Sequence, residues 1–400
     1  MLDWQLFQTI ASKFANFSAL DLAECPRQTA SMSKRILQFG TSRFLQAHVD
    51  FFVHEARVAG QDIGPITVVK TTRGGSRENR VAEFQNAKGF LVHLRGFQAG
   101  QTIDAMTQVT SVTRAFDANV EWHEVQRIFA DETEIVVSNV GERGYEFAAE
   151  DYSPDIPPQS FPAKLLALLI YRFENGAAFL LILPCELVSE NGCVLRGILE
   201  ELGNHWDVSS AFRTWMKRDV MICDTLVDRI VSEAIEPIGA IGEPYGLWAI
   251  KREPGFVPPL QHPCITYTDD LGPYLRLKLH ILNLGHTYLT QIWLDEKRRA
   301  DETVREILND AAVKDRLMSV YRAEVIPGFA AHAMQDQAIS YVAATVERFE
   351  NPFLNHRISD IAQNHAAKIE RRVRDFVSWS RTKNPELRFP QLEALAKSVA

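Results

Sequence analysis

The sequence predicts an α/β protein: an open parallel sheet with helices on both faces, followed by a mostly α-helical C-terminal domain. Three observations carry this. Short β-branched runs alternate with helical patterns over the first two thirds of the chain. The first run ends in a glycine turn that leads into a helix. From about residue 268 the strand-like runs give way to long amphipathic helical patterns.

The elements follow in order. Residues 1–32 are a weakly patterned prefix, read as an arm, disordered or non-native, and given no function; Met32 stands directly before the first strand. Arg35–Phe39 is an apolar run closed by Gly40, and Phe44, Phe51, Phe52 and Val58 then recur near helical spacing. Pro65–Val69 and Glu134–Ser138 read as two further strands. Leu165–Leu183 is apolar but interrupted by Arg172, Glu174 and Asn175. It reads as a helix, a turn at Asn175-Gly176 and a buried strand from Ala178, not as a membrane span. These elements form a first domain over residues 33–267. A second, helical domain over 268–400 has patterns at Leu275–Leu294, Glu302–Glu324 and His356–Ser378. The acids Asp301 and Glu302 suit the start of the middle helix.

Bulk properties narrow the function classes. The chain has 400 residues, too many for one ordinary core. Its net charge of −8 argues against a nucleic-acid partner, which needs a basic surface. Cys25, Cys185, Cys193, Cys223 and Cys264 are odd in number and scattered, with no Cys-x-x-Cys, which suits a reducing compartment and a cytoplasmic protein. Asp3, Asp21 and Glu24 break a signal-peptide pattern. No metal is expected. His48 and His54 are six apart, as are His280 and His286, so neither pair shares a helix face as ligands four apart would.

The turn after the first strand is the candidate nucleotide site. In Gly40-Thr41-Ser42-Arg43-Phe44-Leu45, backbone N–H groups at a helix start would face a pyrophosphate. The full three-glycine fingerprint is absent, with Ser42 and Leu45 at the second and third glycine places, so an ordinary tight turn stays open. The second strand runs into Lys70-Thr71-Thr72-Arg73 and then Arg77. An acid there would read the ribose of NAD; its absence, with arginines nearby, leaves NADP open, as it leaves a solvated basic loop. Ser138-Asn139, followed by Arg143, lies at another strand's carboxyl end, where a nicotinamide would sit.

The most informative stretch is Lys278-Leu-His-Ile-Leu-Asn283-Leu-Gly-His286. At about 100° per residue, Asn283 falls roughly 140° from Lys278 and His286 roughly 80°, so all three fit one broad helix face. A lysine against an apolar wall and a second cation would lose basicity and exchange a proton near neutral pH. Asn and His could donate hydrogen bonds to an oxygen as charge develops on it. A solvated polar face is the ordinary alternative for such a set.

Lys278-x4-Asn283-x2-His286 resembles the signature of the polyol-specific long-chain dehydrogenases, the mannitol dehydrogenase family. Phe39–His48, Leu183–Gly192, Thr225–Val231 and Asn351-Pro352 with Lys368 resemble further family motifs in the same order. The resemblance covers roughly residues 33–375. Pro184-Cys-Glu-Leu187 and the run from Asn351 through His356 and Asp360 to Lys368 are similar to the tagaturonate reductase (altronate oxidoreductase) branch. Leu187 stands where mannitol dehydrogenases carry an Asn of the oxyanion pocket, and Asp360 where they carry an Arg. Ser42 and Gln46 depart from both groups.

The resemblance implies a Rossmann-type domain binding NAD or NADP, with NAD favoured, through the turn of Gly40, Thr41, Ser42, Arg43 and Phe44; Thr71, Arg73, Ser138 and Asn139 join the candidate cofactor site by their places at strand ends. It implies Lys278 as general acid/base, with Asn283 and His286 polarising the reacting oxygen. Asp228 and Lys368 would lie at the substrate site, although Asp228-Arg229 could be a local ion pair and Lys368 a surface charge; apart from the resemblance, Arg143 is a further candidate for a substrate carboxylate. The expected reaction is reversible, metal-independent reduction of a keto sugar acid. A polyol dehydrogenase is the second reading, and a non-catalytic nucleotide sensor a remote third. The expected partner is a small-molecule sugar acid or polyol, with no nucleic acid and no membrane, and the oligomeric state is left open.

Overall fold

The structure is a computed structural model that describes residues 34–72, 80–86, 88–146, 149–152 and 157–398. The prefix 1–32, Arg73 and Arg77 lie outside the described residues, as does the side chain of Arg143. The chain divides into two compact units. One comprises Arg27–His93 and Ala105–Leu271; the other includes Leu94–Asp104 and Gly272–Ala400.

The first strands are β1 (Lys34–Phe39), β2 (Ile63–Lys70), β3 (Phe90–Gln98), β4 (Gln101–Val109), β5 (Val112–Asp117), β6 (Thr133–Ser138), β7 (Leu180–Pro184) and β8 (Val220–Ile222), all in the first unit except residues 94–104 of β3 and β4. Six of these form one sheet in the order β5-β2-β1-β6-β7-β8. All its pairs are parallel. Its inner strands β1, β2, β6 and β7 are buried along most of their length, as helices on both faces require, while the edge strand β5 is more open. Strand order reverses between β1 and β6, and ligands bind such sheets outside the carboxyl ends at that reversal.

Leu37 and Phe39 of β1 pack with the helices Trp122–Asp131 and Phe161–Glu174. Ser160 caps the second helix by accepting from the N–H of Ala163, and Pro162 sits in its first turn, where no N–H is needed. The helix buries Leu165, Leu166, Leu168 and Leu169 and stops at Asn175, with Gly176 at φ 135° before β7. The Leu165–Leu183 run is thus a helix, a turn and a strand. Among the described residues no helix is long and apolar enough to cross a membrane.

The parallel sheet is not the whole of the β-structure. Strands β9 (Thr225–Asp228), β10 (Val231–Ala234), β11 (Gly239–Gly242), β12 (Leu247–Lys251) and β13 (Ile265–Thr268) add two smaller sheets, β10-β11-β3-β4 and β13-β12-β9. The β10/β11 and β12/β9 pairs are antiparallel. Strands β9 to β13 are four or five residues long, and β4 is exposed and polar along most of its length, so they lack the long apolar runs that reveal buried strands.

In the second unit Leu284, Leu289, Val320, Tyr321, Phe329, Val342 and Phe376 form the centre of one apolar core. The long helices predicted at Glu302–Glu324 and His356–Ser378 are split, into Val304–Leu308 and Ala311–Val320 and into Ile358–Ile361 and His365–Ile369, and the unit carries three five-residue π turns: Lys278–Leu282, Tyr321–Val325 and Glu370–Arg374. The middle helix pattern starts at Val304, but its cap is Thr303, in a capping box with Glu306. Glu302, expected to serve the helix start, instead binds Arg298 at 3.0 Å. The unit also takes in residues 94–104, which the sequence reading assigns to the first domain. Glu347 receives the N–H groups of Ala99 and Gly100 at 3.1 and 2.8 Å, and Asn351 Nδ2 donates to the Arg95 carbonyl at 3.0 Å.

Candidate functional site

In the sheet unit, Gly40, Ser42, Ser138 and Asn139 come together at the carboxyl ends of β1 and β6. Gly40 has φ 116°, and a Cβ there would stand 2.6 Å from the Asn139 carbonyl oxygen, so both conformation and space demand glycine. Ser42 Oγ accepts from the Leu45 N–H at 3.2 Å and donates to Asn139 Oδ1 at 3.0 Å. Asn139 Nδ2 in turn donates to the Cys185 carbonyl at 2.8 Å. Ser42 therefore does the work of a cap and of a tie between two strand ends, which a glycine at this place could not. Thr41 is half-buried and Arg43 exposed, while the ring of Phe44 stacks on His48.

His48 is fully buried between Phe44 and Phe52, with Nε2 directed at the Leu247 carbonyl, 2.9 Å away. Burial, with the Arg229 charge behind it, pushes its pKa down to about 3. It is a neutral packing residue. Gln38, Gln46 and Asp50 lie buried around the same turn. Burial raises the Asp50 carboxyl to about 7, with the Gln38 amide opposing in part.

At the end of β2, Lys70 is buried and bonds Asp117 of β5 at 2.9 Å. Although its partial burial works the other way, Asp117 is held below the ordinary carboxylate range by Lys70 and Asn119. An ion pair therefore closes the carboxyl ends of β2 and β5. Thr71 follows, buried, its carbonyl accepting from Asn119 Nδ2 at 3.3 Å.

The sequence reading gave no role to Glu186. This residue is buried at the end of β7 and accepts from Ser138 Oγ, the Val140 N–H and Tyr145 Oη, each at 3.1 Å. Burial pushes its pKa up while those bonds pull it down. It braces the 138–145 segment from beneath. The signal for it was only the motif Pro184–Leu187, because a buried acid in a loop has no periodic signature. Leu187 itself is exposed.

Asp228 ends β9 and is buried. Its neighbour Arg229 spends its guanidinium on the carbonyls of Ala47, Pro244 and Tyr245 and lies over the Phe52 ring.

In the helical unit, the π turn at Lys278–Leu282 changes the geometry assumed from the sequence. The Asn283 N–H reaches back to the Lys278 carbonyl as well as to Leu279. One extra residue is absorbed, about 100°, so Asn283 comes to roughly 40° from Lys278 and His286 to roughly 20°. The three side chains share a narrow stripe, not the broad face an α-helix would give. His286 is buried, its ring 4.4 Å from that of Phe349 and 5.1 Å from that of His356. Asn283 and Lys278 are half-buried.

Arg372 donates to the Asn283 carbonyl at 3.2 Å and to Thr287 Oγ1 at 3.0 Å; burial, with Arg371 nearby, pulls its pKa down to about 10. Lys368, one helical turn before Arg372, is half-buried and donates to the Ile361 carbonyl at 2.7 Å. Its pKa is lowered by burial and then by Arg372. It is not a free surface charge. Asp360 is exposed. His280 is fully buried, and burial takes its pKa down to about 4. Among the described residues no group of three His, Cys, Asp or Glu could hold a metal ion.

Residues 34–257 match the family description "Mannitol dehydrogenase Rossmann domain", and residues 270–397 match "Mannitol dehydrogenase C-terminal domain". The chain belongs to the mannitol dehydrogenase family. It is accordingly a dehydrogenase acting on CH–OH groups with a nicotinamide cofactor. The turn at Gly40 fits such a cofactor: it lies at the strand-order reversal, at the carboxyl ends of β1 and β6, where such sheets bind ligands.

Family relatives include the altronate oxidoreductase of Halalkalibacterium halodurans, 28% identical over 86% of this chain and 70% of that protein. That of Klebsiella pneumoniae is 28% identical over 86% of this chain and 74% of its own length. Among solved structures, a D-sorbitol dehydrogenase in substrate-free form aligns with a TM-score of 0.73 at 17% identity, over 86% of this chain and 76% of that one. Pseudomonas fluorescens mannitol 2-dehydrogenase, in a ternary complex with NAD and D-mannitol, aligns at 0.69 and 18% identity, over 92% and 78%. These two establish a shared fold.

Proposed function

We propose that this protein reversibly reduces a keto sugar acid of the tagaturonate or fructuronate type to its hydroxy acid, with Lys278 as the proton-transfer residue. The observation that carries the reading is the stripe of Lys278, Asn283 and His286 generated by the π turn. The altronate oxidoreductase relatives supply the substrate class.

A bound nicotinamide supplies the hydride. The chain's own residues do the rest. Lys278 Nζ gives its proton to the ketone oxygen as negative charge develops there, and takes it back in the oxidation. Asn283 and His286 donate hydrogen bonds to the same oxygen. Lys368 and Asp228 hold the substrate's carboxylate and hydroxyls, with Arg143 a further candidate for the carboxylate. Gly40, Thr41, Ser42, Arg43, Phe44, Thr71, Ser138 and Asn139, with Arg73, form the cofactor site. NAD is the cofactor we favour. The absence of an acid directly after β2, with Arg73 and Arg77 following in sequence, keeps NADP as the alternative to test. Four described cysteines are free thiols, in keeping with work in the cytoplasm.

The experiment is a rate comparison with both cofactors. Tagaturonate, fructuronate and fructose are reduced with NADH or NADPH; altronate, mannonate, mannitol and arabinitol are oxidised in reverse. Activity confined to the sugar acids is expected. Turnover of mannitol or arabinitol alone would replace the reading with a polyol dehydrogenase, and cofactor binding without any turnover would leave a nucleotide sensor.

A further inference from the structure

The three π turns of the helical unit are bonded to one another through side chains. Tyr321, the first residue of the second turn, sends its hydroxyl to the carbonyl of Ile281, inside the first turn, at 2.9 Å. His280, in the first turn, bonds the carbonyl of Arg372, in the third, through Nδ1 at 3.1 Å. A carbonyl can only accept, so Nδ1 carries the proton, and Nε2 accepts from Arg276 at 2.9 Å. Arg372 returns the link by donating to the Asn283 carbonyl, immediately after the first turn.

A π turn is a rare conformation that the neighbouring α-helical register competes with. Tyr321 bears on that competition most directly. It is fully buried, and its hydroxyl crosses over Gly285 on the way to Ile281. A Cβ at residue 285 would lie 2.0 Å from that oxygen, so the glycine clears the path for it. Gly285 and Tyr321 are two independent parts of one contact, and neither is needed for an ordinary α-helix.

We propose that Tyr321 is a positioning residue for the proton-transfer stripe: its hydroxyl, passing over Gly285 to Ile281, holds the wide turn that aligns Lys278 with Asn283 and His286. It touches neither substrate nor cofactor and acts through the backbone of the turn. Collapse of the turn to an α-helical register rotates Asn283 and His286 by about 100° relative to Lys278. This inference rests on the reading of Lys278 as the acid/base.

The test uses the full chain and compares Tyr321→Phe, which keeps the ring and removes the hydroxyl, with Lys278→Ala. Keto-acid reduction is measured as kcat, KM, the dissociation constant of NADH and the pH profile of kcat. Tyr321→Phe is expected to lower kcat about ten- to a hundredfold and to shift the pH profile, with NADH affinity within twofold of the parent. A folded Tyr321→Phe protein with parental kcat and pH profile overturns the proposal. So does a loss confined to thermal stability. If Lys278→Ala keeps near-full rate, the acid/base reading itself fails; if it is inactive while Tyr321→Phe is unaffected, only the present inference fails. Should Tyr321→Phe not fold, 3-fluorotyrosine at position 321 preserves packing and alters donor strength alone. A pH profile superimposable on the parent's then overturns the proposal.

Discussion

The two ends of the chemistry are built by opposite means. In the sheet unit, the cofactor turn is fixed by space: Gly40 must lack a side chain, and Ser42, Asn139 and Cys185 tie neighbouring strand ends in a short chain of hydrogen bonds. In the helical unit, the stripe is fixed by register, because a widened helical turn decides which side chains share a face. The first kind of site breaks when volume is added. The second breaks when a hydrogen bond is removed at a distance. Substitutions can separate the two.

Lys278→Ala should have the largest effect, lowering kcat by about 10²–10⁴-fold while leaving NADH affinity unchanged. Stopped-flow reduction rates beside a fluorescence titration would show whether both parts hold. A comparable loss of NADH binding would mean that the halves are not separable in this way.

Asp50→Asn tests the buried ground beside the cofactor turn. The Asp50 carboxyl titrates near 7 when folded and near 3.8 when unfolded, so its stabilising contribution is complete below about pH 3.8 and is lost as pH rises through 7. The variant should therefore be the more stable protein at pH 8, by up to about 4 kcal/mol, and the gap should close toward pH 4. Urea denaturation at the two pH values reads this directly.

Gly40→Ala should cost about 1–3 kcal/mol of stability from its positive φ and the Asn139 contact, and weaken NADH binding at least about tenfold. An unchanged dissociation constant would remove the glycine turn from the cofactor site. The smallest effect is expected from Ser42→Gly. It loses the cap and the Asn139 tie together, for about 1 kcal/mol in urea denaturation, and should weaken NADH binding less than Gly40→Ala does in the same titration.

Legibility followed the same division. Strands β1, β2, β6 and β7 were readable because a strand buried on both faces has to be a continuous apolar run. The turns that follow them inherit their positions from the strands, so Gly40, Ser138 and Asn139 could be placed. The helical unit was readable as helix and misread in phase. Nothing in Lys278–Leu282 announces a π turn: the sequence carries no proline or glycine there, and the cause lies 40 residues on, in Tyr321. Glu186 was hidden for a similar reason, since its partners Ser138, Val140 and Tyr145 lie more than forty positions upstream. The family motifs covered Lys278–His286 and Leu183–Gly192 but gave no role to Tyr321 or to Glu186.

The excursion of residues 94–104 has a consequence for how the gene can be divided. The polypeptide passes between the two units at His93, returns after Asp104, and passes once more at Leu271. A cut at residue 271 would leave the C-terminal fragment without the strand tip whose amides Glu347 binds and whose carbonyl Asn351 caps. Independent expression of that half, and exchange of it between homologues, calls for transplanting the eleven-residue tip along with it.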